Sequence, residues 1–225
     1  VSKILVIPDL QIPFQHAYAL TFLKRVRDEF RCDTTVCVGD EWDNCALSKY
    51  PKNPDGLSAG DEHRRAMRAS KPFYEAFPDV LLCESNHRQR LYKRAYEAGI
   101  PVEYIRDTSG YMASPKGWRW ADRWRVDGIV FEHGDRASGA SCGEKLIDAN
   151  HASTVYGHHH DCPGITYRRK AHRTLFAMNV GCLIDENSYA MSYTKMNRSK
   201  PVLSCGVILD GVPHIIPMIK GGRTR

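Results

Sequence analysis

The sequence predicts an α/β fold. Short apolar, strand-like runs recur along the chain, and segments of helical period stand between them. Several of the runs also stop at a glycine or turn residue and are followed at once by a carboxylate, an amide or an imidazole. This last observation bears on function as well as fold, because open α/β sheets bind ligands beyond the carboxyl ends of their strands. The run over residues 34–38 is the clearest case: it ends at Gly39 and then presents Asp40 and Asp43. Taken alone, Gly39-Asp40 reads as an ordinary turn whose aspartate bonds its own backbone. The recurrence of the pattern is what turns alone do not require.

In chain order, Ile4–Ile7 reads as a strand followed by Pro8-Asp9-Leu10-Gln11. A helix is expected over 16–30, with apolar residues at 20, 23 and 26, and the second strand over 34–38. Residues 44–60 are rich in Pro, Asn, Gly and Ser and read as a loop beside the site. A helical pattern over 61–77 leads to a third strand over 80–83, which ends in Glu84-Ser85-Asn86-His87, and another helix over 88–98 follows. Asp127-Gly128 between Trp124–Val126 and Ile129–Phe131 is a strong hairpin signal. The hairpin delivers Glu132-His133-Gly134-Asp135. A helix over Cys142–Asn150 and a strand over 153–156 lead into Gly157-His158-His159-His160-Asp161. The last third is strand-rich, with strands expected over 174–180, 202–209 and 212–219.

With 225 residues the chain can bury a full core, and it has no internal repeat, low-complexity tract or linker. A single domain over 1–225 is expected. There is no run of ~18 apolar residues, so no membrane span is expected, and no secretory leader is legible, since Lys3 is followed at once by the first strand. The eight cysteines are scattered without a Cys-x-x-Cys pair. They read as reduced thiols of a cytoplasmic protein rather than as a disulfide frame or a zinc cluster. The net charge of +6 permits polyanionic partners without requiring them. Nothing in the sequence speaks to oligomeric state.

The polar residues at strand ends are Asp9, Gln11, Asp40, Asp43, Asn86, His87, His133, His158 and His160. Carboxylate, amide and imidazole donors together suit borderline divalent ions such as manganese, iron or zinc. They are too many for one four- to six-coordinate ion and suit two ions bridged by a carboxylate. His158 and His160 share a face if their segment is extended, which turns His159 away. A lone histidine is more often structural than a ligand; three separated positions, each after a strand, are harder to explain by packing.

The order Asp9-x-Gln11, Gly39-Asp40-x-x-Asp43, Asn86-His87, His133-Gly134 and Gly157-His158-x-His160 resembles that of the calcineurin-like metallophosphoesterases. It runs over residues 4–161; the Asn-His pair and the last motif are specific, and His-Gly alone is weak. The resemblance implies two packed mixed β-sheets flanked by helices, a four-layer α/β/β/α sandwich. It implies hydrolysis of a phosphoester by a metal-bridging hydroxide with two divalent ions. By resemblance, Asp40 is the bridging ligand. Asp9, Gln11 and His160 serve the first ion, and Asn86, His133 and His158 the second. His87 is the group that contacts the phosphate and protonates the leaving oxygen, with Asp43 supporting the site. Gln11 stands where the family has histidine, and an oxygen donor there shifts preference toward harder ions, Mn²⁺ or Mg²⁺. Mn²⁺ is therefore the expected ion, with Zn²⁺ and Fe as alternatives. Ser85 and Arg88 stand where the family has a glycine and an acidic residue. Arg88 would either meet a substrate phosphate or point into water.

A phosphodiester, with nucleic acid among the candidates, is placed ahead of a phosphoprotein or a small phosphomonoester. A non-catalytic, metal-binding interaction protein with a degenerate site is the alternative from another class. Trp118, Trp120 and Trp124, interleaved with Arg119, Arg123 and Arg125, would stack and pair with a nucleic-acid strand, but period-two alternation fits hairpin core residues better. Arg168-Arg169-Lys170 reads mainly as a solvated charge run.

Overall fold

The computed structural model describes residues 1–188 and 199–219. The parallel strands β1 (Ile4–Ile7), β2 (Thr34–Cys37), β3 (Asp79–Cys83) and β4 (Gly117–Ala121) lie side by side in that order. A second group comprises β5 (Trp124–Val126), β6 (Ile129–Phe131), β7 (Thr154–Tyr156), β8 (Gly164–Lys170) and β9 (Arg173–Asn179), ordered β5-β6-β7-β9-β8. The chain then returns to the first sheet with β10 (Ser204–Leu209), antiparallel beside β1, and β11 (Val212–Pro217) outside it. Two mixed sheets result, of six and five strands.

Alternation along β1 divides the core. Ile4 and Val6 face the second sheet, where they meet Val36, Val38, Phe131, Val155 and Met178. Leu5 and Ile7 point the other way, toward Phe22, Leu23 and Val26 of α1 (Ala19–Phe30) and Phe73 of α2 (Ala59–Ala76). On the far side of the second sheet, Leu146 and Ile147 of α5 (Cys142–Asn150) pack on Tyr156, Leu175 and Ala177. The layers are therefore helix, sheet, sheet, helix, the α/β arrangement implied by the resemblance to the calcineurin-like metallophosphoesterases. Between α2 and α5 lie α3 (Arg90–Glu97) and the short α4 (Thr108–Met112). No helix among the described residues is long and apolar enough to cross a membrane.

Boundaries moved where backbone groups found other partners. The first helix starts at Ala19 rather than 16, because the His16 amide bonds the Leu183 carbonyl. Helix α2 starts at Ala59 because Ser58 caps it, its hydroxyl accepting from the Asp61 amide at 3.1 Å. Helix α3 starts at Arg90 rather than 88, since the preceding turn is spent on presenting Asn86 and His87. The tryptophans are not together in one hairpin. Trp118 and Trp120 lie on β4 at the edge of the first sheet, and only Trp124 belongs to the β5–β6 hairpin of the second. Their indole N–H groups donate to the Phe77 carbonyl, Glu41 Oε1 and the Leu82 carbonyl at 2.8–2.9 Å, which ties these rings into the fold. The strand β8 and α4 were not distinguished in the sequence. Arg168 and Lys170 on β8 pair with Asp148 of α5 at 2.7 and 2.6 Å.

Candidate metal centre

The C-terminal ends of β1, β2, β3, β6 and β7 open on one place, and each delivers part of a polar cluster. The loops after β1 and β2 are joined by backbone hydrogen bonds from Gln11 N to the Asp40 carbonyl (2.8 Å), Ile12 N to the Glu41 carbonyl (2.9 Å) and Asp43 N to the Ile12 carbonyl (3.0 Å). This pairing sets Asp9 and Gln11 beside Asp40 and Asp43, and all four are buried. Gln11 and Asp40 have positive φ, 48° and 49°, as tight loop turns require. Two glycines permit the close approach. A Cβ on Gly39, whose φ is +107°, would lie 2.8 Å from Ser85 Cβ and 2.9 Å from His133 Nδ1. A Cβ on Gly157 would lie 2.4 Å from Asp9 Oδ1.

His133 is the hub. Its Nδ1 donates to the Val38 carbonyl at 3.0 Å, which fixes the ring and leaves Nε2 facing inward. Around Nε2 stand Asn86 Oδ1 at 2.8 Å, His158 Nδ1 at 3.2 Å and Asp40 Oδ2 at 3.4 Å. Donors at right angles around an ion with ~2.1 Å bonds are ~3.0 Å apart, so these spacings are those of ligands round a small divalent cation. Asp40, His133 and His158 each offer a donor atom within 4.8 Å of the others'. Next to them, His160 Nε2 lies 2.9 Å from Asp9 Oδ2, which also accepts from the His158 amide at 3.1 Å. The other oxygen, Asp9 Oδ1, is buried without a hydrogen-bond partner, an unusual cost unless a cation or water meets it. The donor set thus fits divalent metal.

Electrostatics say the same. Burial alone would push the Asp40 carboxyl up, but His133 and His87 beside it hold it well below its usual value. Burial would lower His133; the charge of Asp40 overrides it and raises the imidazole. His160 is likewise raised against burial by its bond to Asp9, while burial and His133 lower His158. Asp40 and Asp9 thus draw positive charge onto His133 and His160, which is the sign of charge a metal would bring.

His87 stands at the edge of this group. Its amide donates to Asp40 Oδ1 at 3.2 Å; Nε2 lies 3.6 Å from Asp40 Oδ2, and Nδ1 lies 3.6 Å from Asp43 Oδ1. Arg90 binds the pair, Nη1 donating to Asp43 Oδ1 (3.0 Å) and Nη2 to His87 Nε2 (2.7 Å). Burial, with Arg90 opposing the pull of Asp40, brings His87 down to about 3. Burial raises Asp43 to about 7, against Arg90.

The structure therefore brings together Asp9, Asp40, Asn86, His133, His158 and His160, with His87 and Asp43 alongside and Gln11 buried in the same loop pair. It does not bring Arg88 to them. The Arg88 guanidinium is taken up by Glu84 and by Thr108 Oγ1 and lies over the Trp120 ring, 5.7 Å from its centroid. It meets neither the cluster nor open water. His159 turns away, to the Ala137 carbonyl and Cys142 Sγ, though the segment is not extended: His158 has a φ of 67°, and a turn separates the side chains. Arg90 was missed, because in the sequence it is one of several similar arginines and the helix start lay two residues off.

No protein-family profile matches the chain, and no curated protein matches it in sequence. Among solved structures, it is similar to Yfce, a phosphoesterase from E. coli, at 14% identity with a TM-score of 0.49, covering 96% of this chain and 92% of that one. It is also similar to Chaetomium thermophilum Vps29 (12% identity, TM-score 0.48, 99% and 94% covered). A third is the Pseudomonas putida nuclease MPE (11% identity, TM-score 0.40, 95% and 86% covered).

Proposed function

We propose that the chain is a metal-dependent phosphoester hydrolase of the calcineurin-like metallophosphoesterase type, acting as one domain over 1–225 in a reducing cytoplasm. The observation that carries this reading is the crowding of Asn86 Oδ1, His158 Nδ1 and Asp40 Oδ2 around the inward nitrogen of His133. Asn86, His133 and His158 would hold one ion, Asp9, His160 and Gln11 the other, and Asp40 both. Mn²⁺ is the expected ion. Bound there, two divalent cations supply an acidified water and positive charge for the phosphoryl oxygens.

The chain's own groups do the rest. Asp9 and Asp40, both buried, are held in orientation by His160 and His133, and the imidazoles beside Asp40 favour its charged form. His87 is the group placed to protonate the leaving oxygen, through Nε2, the nitrogen on the Asp40 side. In the structure that atom accepts from Arg90. An incoming phosphate brings the negative charge that favours a proton on Nε2 and gives Arg90 an anion to turn toward. Asp43, 3.6 Å from Nδ1, holds the Arg90 guanidinium that bonds the ring.

A phosphodiester is the favoured substrate. The test is turnover of bis-p-nitrophenyl phosphate and p-nitrophenyl phosphate in Mn²⁺, with Asp40→Asn alongside. The diester should have the higher kcat/KM, and the variant should lose at least about 10²-fold on both. Turnover of the monoester alone would make the protein a phosphomonoesterase. Gln11 favours a second reading, a metal-binding interaction protein with a weakened site; turnover of neither ester would favour that.

A further inference from the structure

Beside Asn86 the surface is hollowed into a cavity of about 250 Å³. One wall is the face of α3 that carries Arg90, Lys93, Arg94 and Glu97, spaced three and four apart. The opposite wall is the segment 47–50, with Lys49 and Tyr50. Asn86, whose Oδ1 lies 2.8 Å from His133 Nε2, is also part of the lining, which puts the cavity beside the metal centre.

The walls are joined. Arg94 donates from Nε to the Leu47 carbonyl (3.0 Å) and from Nη2 to the Ser48 carbonyl (2.5 Å). The Tyr50 amide donates to Ser48 Oγ at 3.2 Å. Arg94 also pairs with Glu97 at 2.7 Å, which neutralises the one carboxylate of the cavity. Arg90 is turned inward to Asp43 and His87. The remaining charged residues of the lining are Lys49 and Lys93, both exposed. Lys49 Nζ stands 5.3 Å from the centre of the Tyr50 ring, and Tyr50 is 65% exposed. A cationic slot with an exposed aromatic at its mouth has the chemistry that binds a single nucleic-acid strand, lysines on phosphates and a ring under an unpaired base.

We propose that this cavity is a single-stranded nucleic-acid subsite, in which Lys49 and Lys93 hold the phosphate next to the scissile one and Tyr50 stacks on its base. The proposal rests on the reading of the metal centre as a phosphodiesterase site and names its substrate class. A small phosphate ester has no neighbouring phosphate for the lysines. A duplex keeps its bases stacked and offers none to Tyr50.

The test is fluorescence anisotropy with the full chain in Mn²⁺ and a fluorescein-labelled phosphorothioate oligothymidylate of about ten nucleotides, within the usual single-strand site size. Lys49→Ala/Lys93→Ala should weaken binding about tenfold at low salt. It should also reduce the slope of log affinity on log salt by about 0.7, the value for one phosphate of a single strand. Tyr50→Ala should weaken binding about five- to hundredfold. Lys24→Ala, an exposed lysine of α1 outside the cavity, should leave binding unchanged. All four residues are exposed, and matching melting curves exclude misfolding.

Unchanged affinity and slope in the lysine variant would overturn the proposal, as would a parent that does not bind the strand. So would a phosphopeptide bound as tightly with the same lysine dependence. If binding is lysine-dependent but the parent hydrolyses no phosphodiester, the subsite stands and the catalytic reading fails. If the parent hydrolyses bis-p-nitrophenyl phosphate but binds the strand regardless of Lys49 and Lys93, the catalytic reading stands and the subsite fails.

Discussion

Gly157→Ala tests how tightly the metal centre is built. Gly157 follows β7, and its amide donates to the His133 carbonyl at 3.0 Å. An added Cβ would lie 2.4 Å from Asp9 Oδ1 and 2.8 Å from Val38 Cγ2, against ~3.5–4.0 Å for an ordinary carbon contact. Asp9 cannot simply withdraw, because its other oxygen is held by the His158 amide and His160 Nε2 at 3.1 and 2.9 Å. The methyl group must therefore displace the carboxylate or the strand end. Overpacking of this kind costs about 1–3 kcal/mol, and at about 2–4 °C per kcal/mol the melting temperature should fall by roughly 2–12 °C. Disturbing a ligand's orientation should also weaken one Mn²⁺ site by about 10–100-fold. Gly164→Ala is the control, since its Cβ would meet nothing nearer than 3.9 Å; it should change stability by no more than about 1 kcal/mol. Circular dichroism melts of metal-free protein and Mn²⁺ titration calorimetry read both effects. Parental melting and parental Mn²⁺ affinity in Gly157→Ala would refute the placement of Asp9 beneath this glycine.

Three further outcomes are expected. His87→Asn should keep the parent's metal content and lower kcat by about 10²–10⁴ on a nucleotide or alkyl ester, with a smaller loss on a nitrophenyl ester that leaves without a proton; metal lost together with activity would instead make His87 a ligand. Gln11→His should tighten metal binding or move preference toward zinc or iron, and identical metal-dependence curves for the two proteins would remove Gln11 from the ligand set. Arg88→Ala should destabilise by about 1–3 kcal/mol through loss of its bonds to Glu84 and Thr108. The same variant should change kcat on bis-p-nitrophenyl phosphate less than about threefold, and a collapse of kcat in a stable variant would return Arg88 to the substrate.

The strand ends were legible because they combine two independent signals, a buried apolar run and a polar residue no core would keep without reason. That is how Asp9, Asp40, Asn86, His133, His158 and His160 were found before any geometry. His159 does turn outward, but by a turn and not by strand alternation, since His158 has a φ of 67° and β7 ends at Tyr156. What the sequence hid were contacts set by tertiary packing. Arg88 and Arg90 are alike as residue types, and only the true start of α3 turns Arg90 toward Asp43 and His87 and leaves Arg88 with Glu84 and Thr108. The tryptophan stretch read as one hairpin because local pattern does not show the chain crossing from one sheet to the other at residues 122–123. The cavity of Lys49, Tyr50 and Lys93 joins a loop to a helix more than forty residues on, and no local signal links them.

The proposed function requires two divalent ions, bound together and used to cleave phosphoesters. The most direct measurement is hydrolysis of bis-p-nitrophenyl phosphate by metal-stripped protein as Mn²⁺ is added stepwise, with bound metal counted in the same samples. Activity should be absent from the stripped protein, rise with added metal and reach its plateau at about two ions per chain, the number a carboxylate-bridged pair requires; Asp40→Asn should lose both the metal and the activity. A plateau at one ion, binding of two with no hydrolysis, or hydrolysis that survives Asp40→Asn would contradict the account.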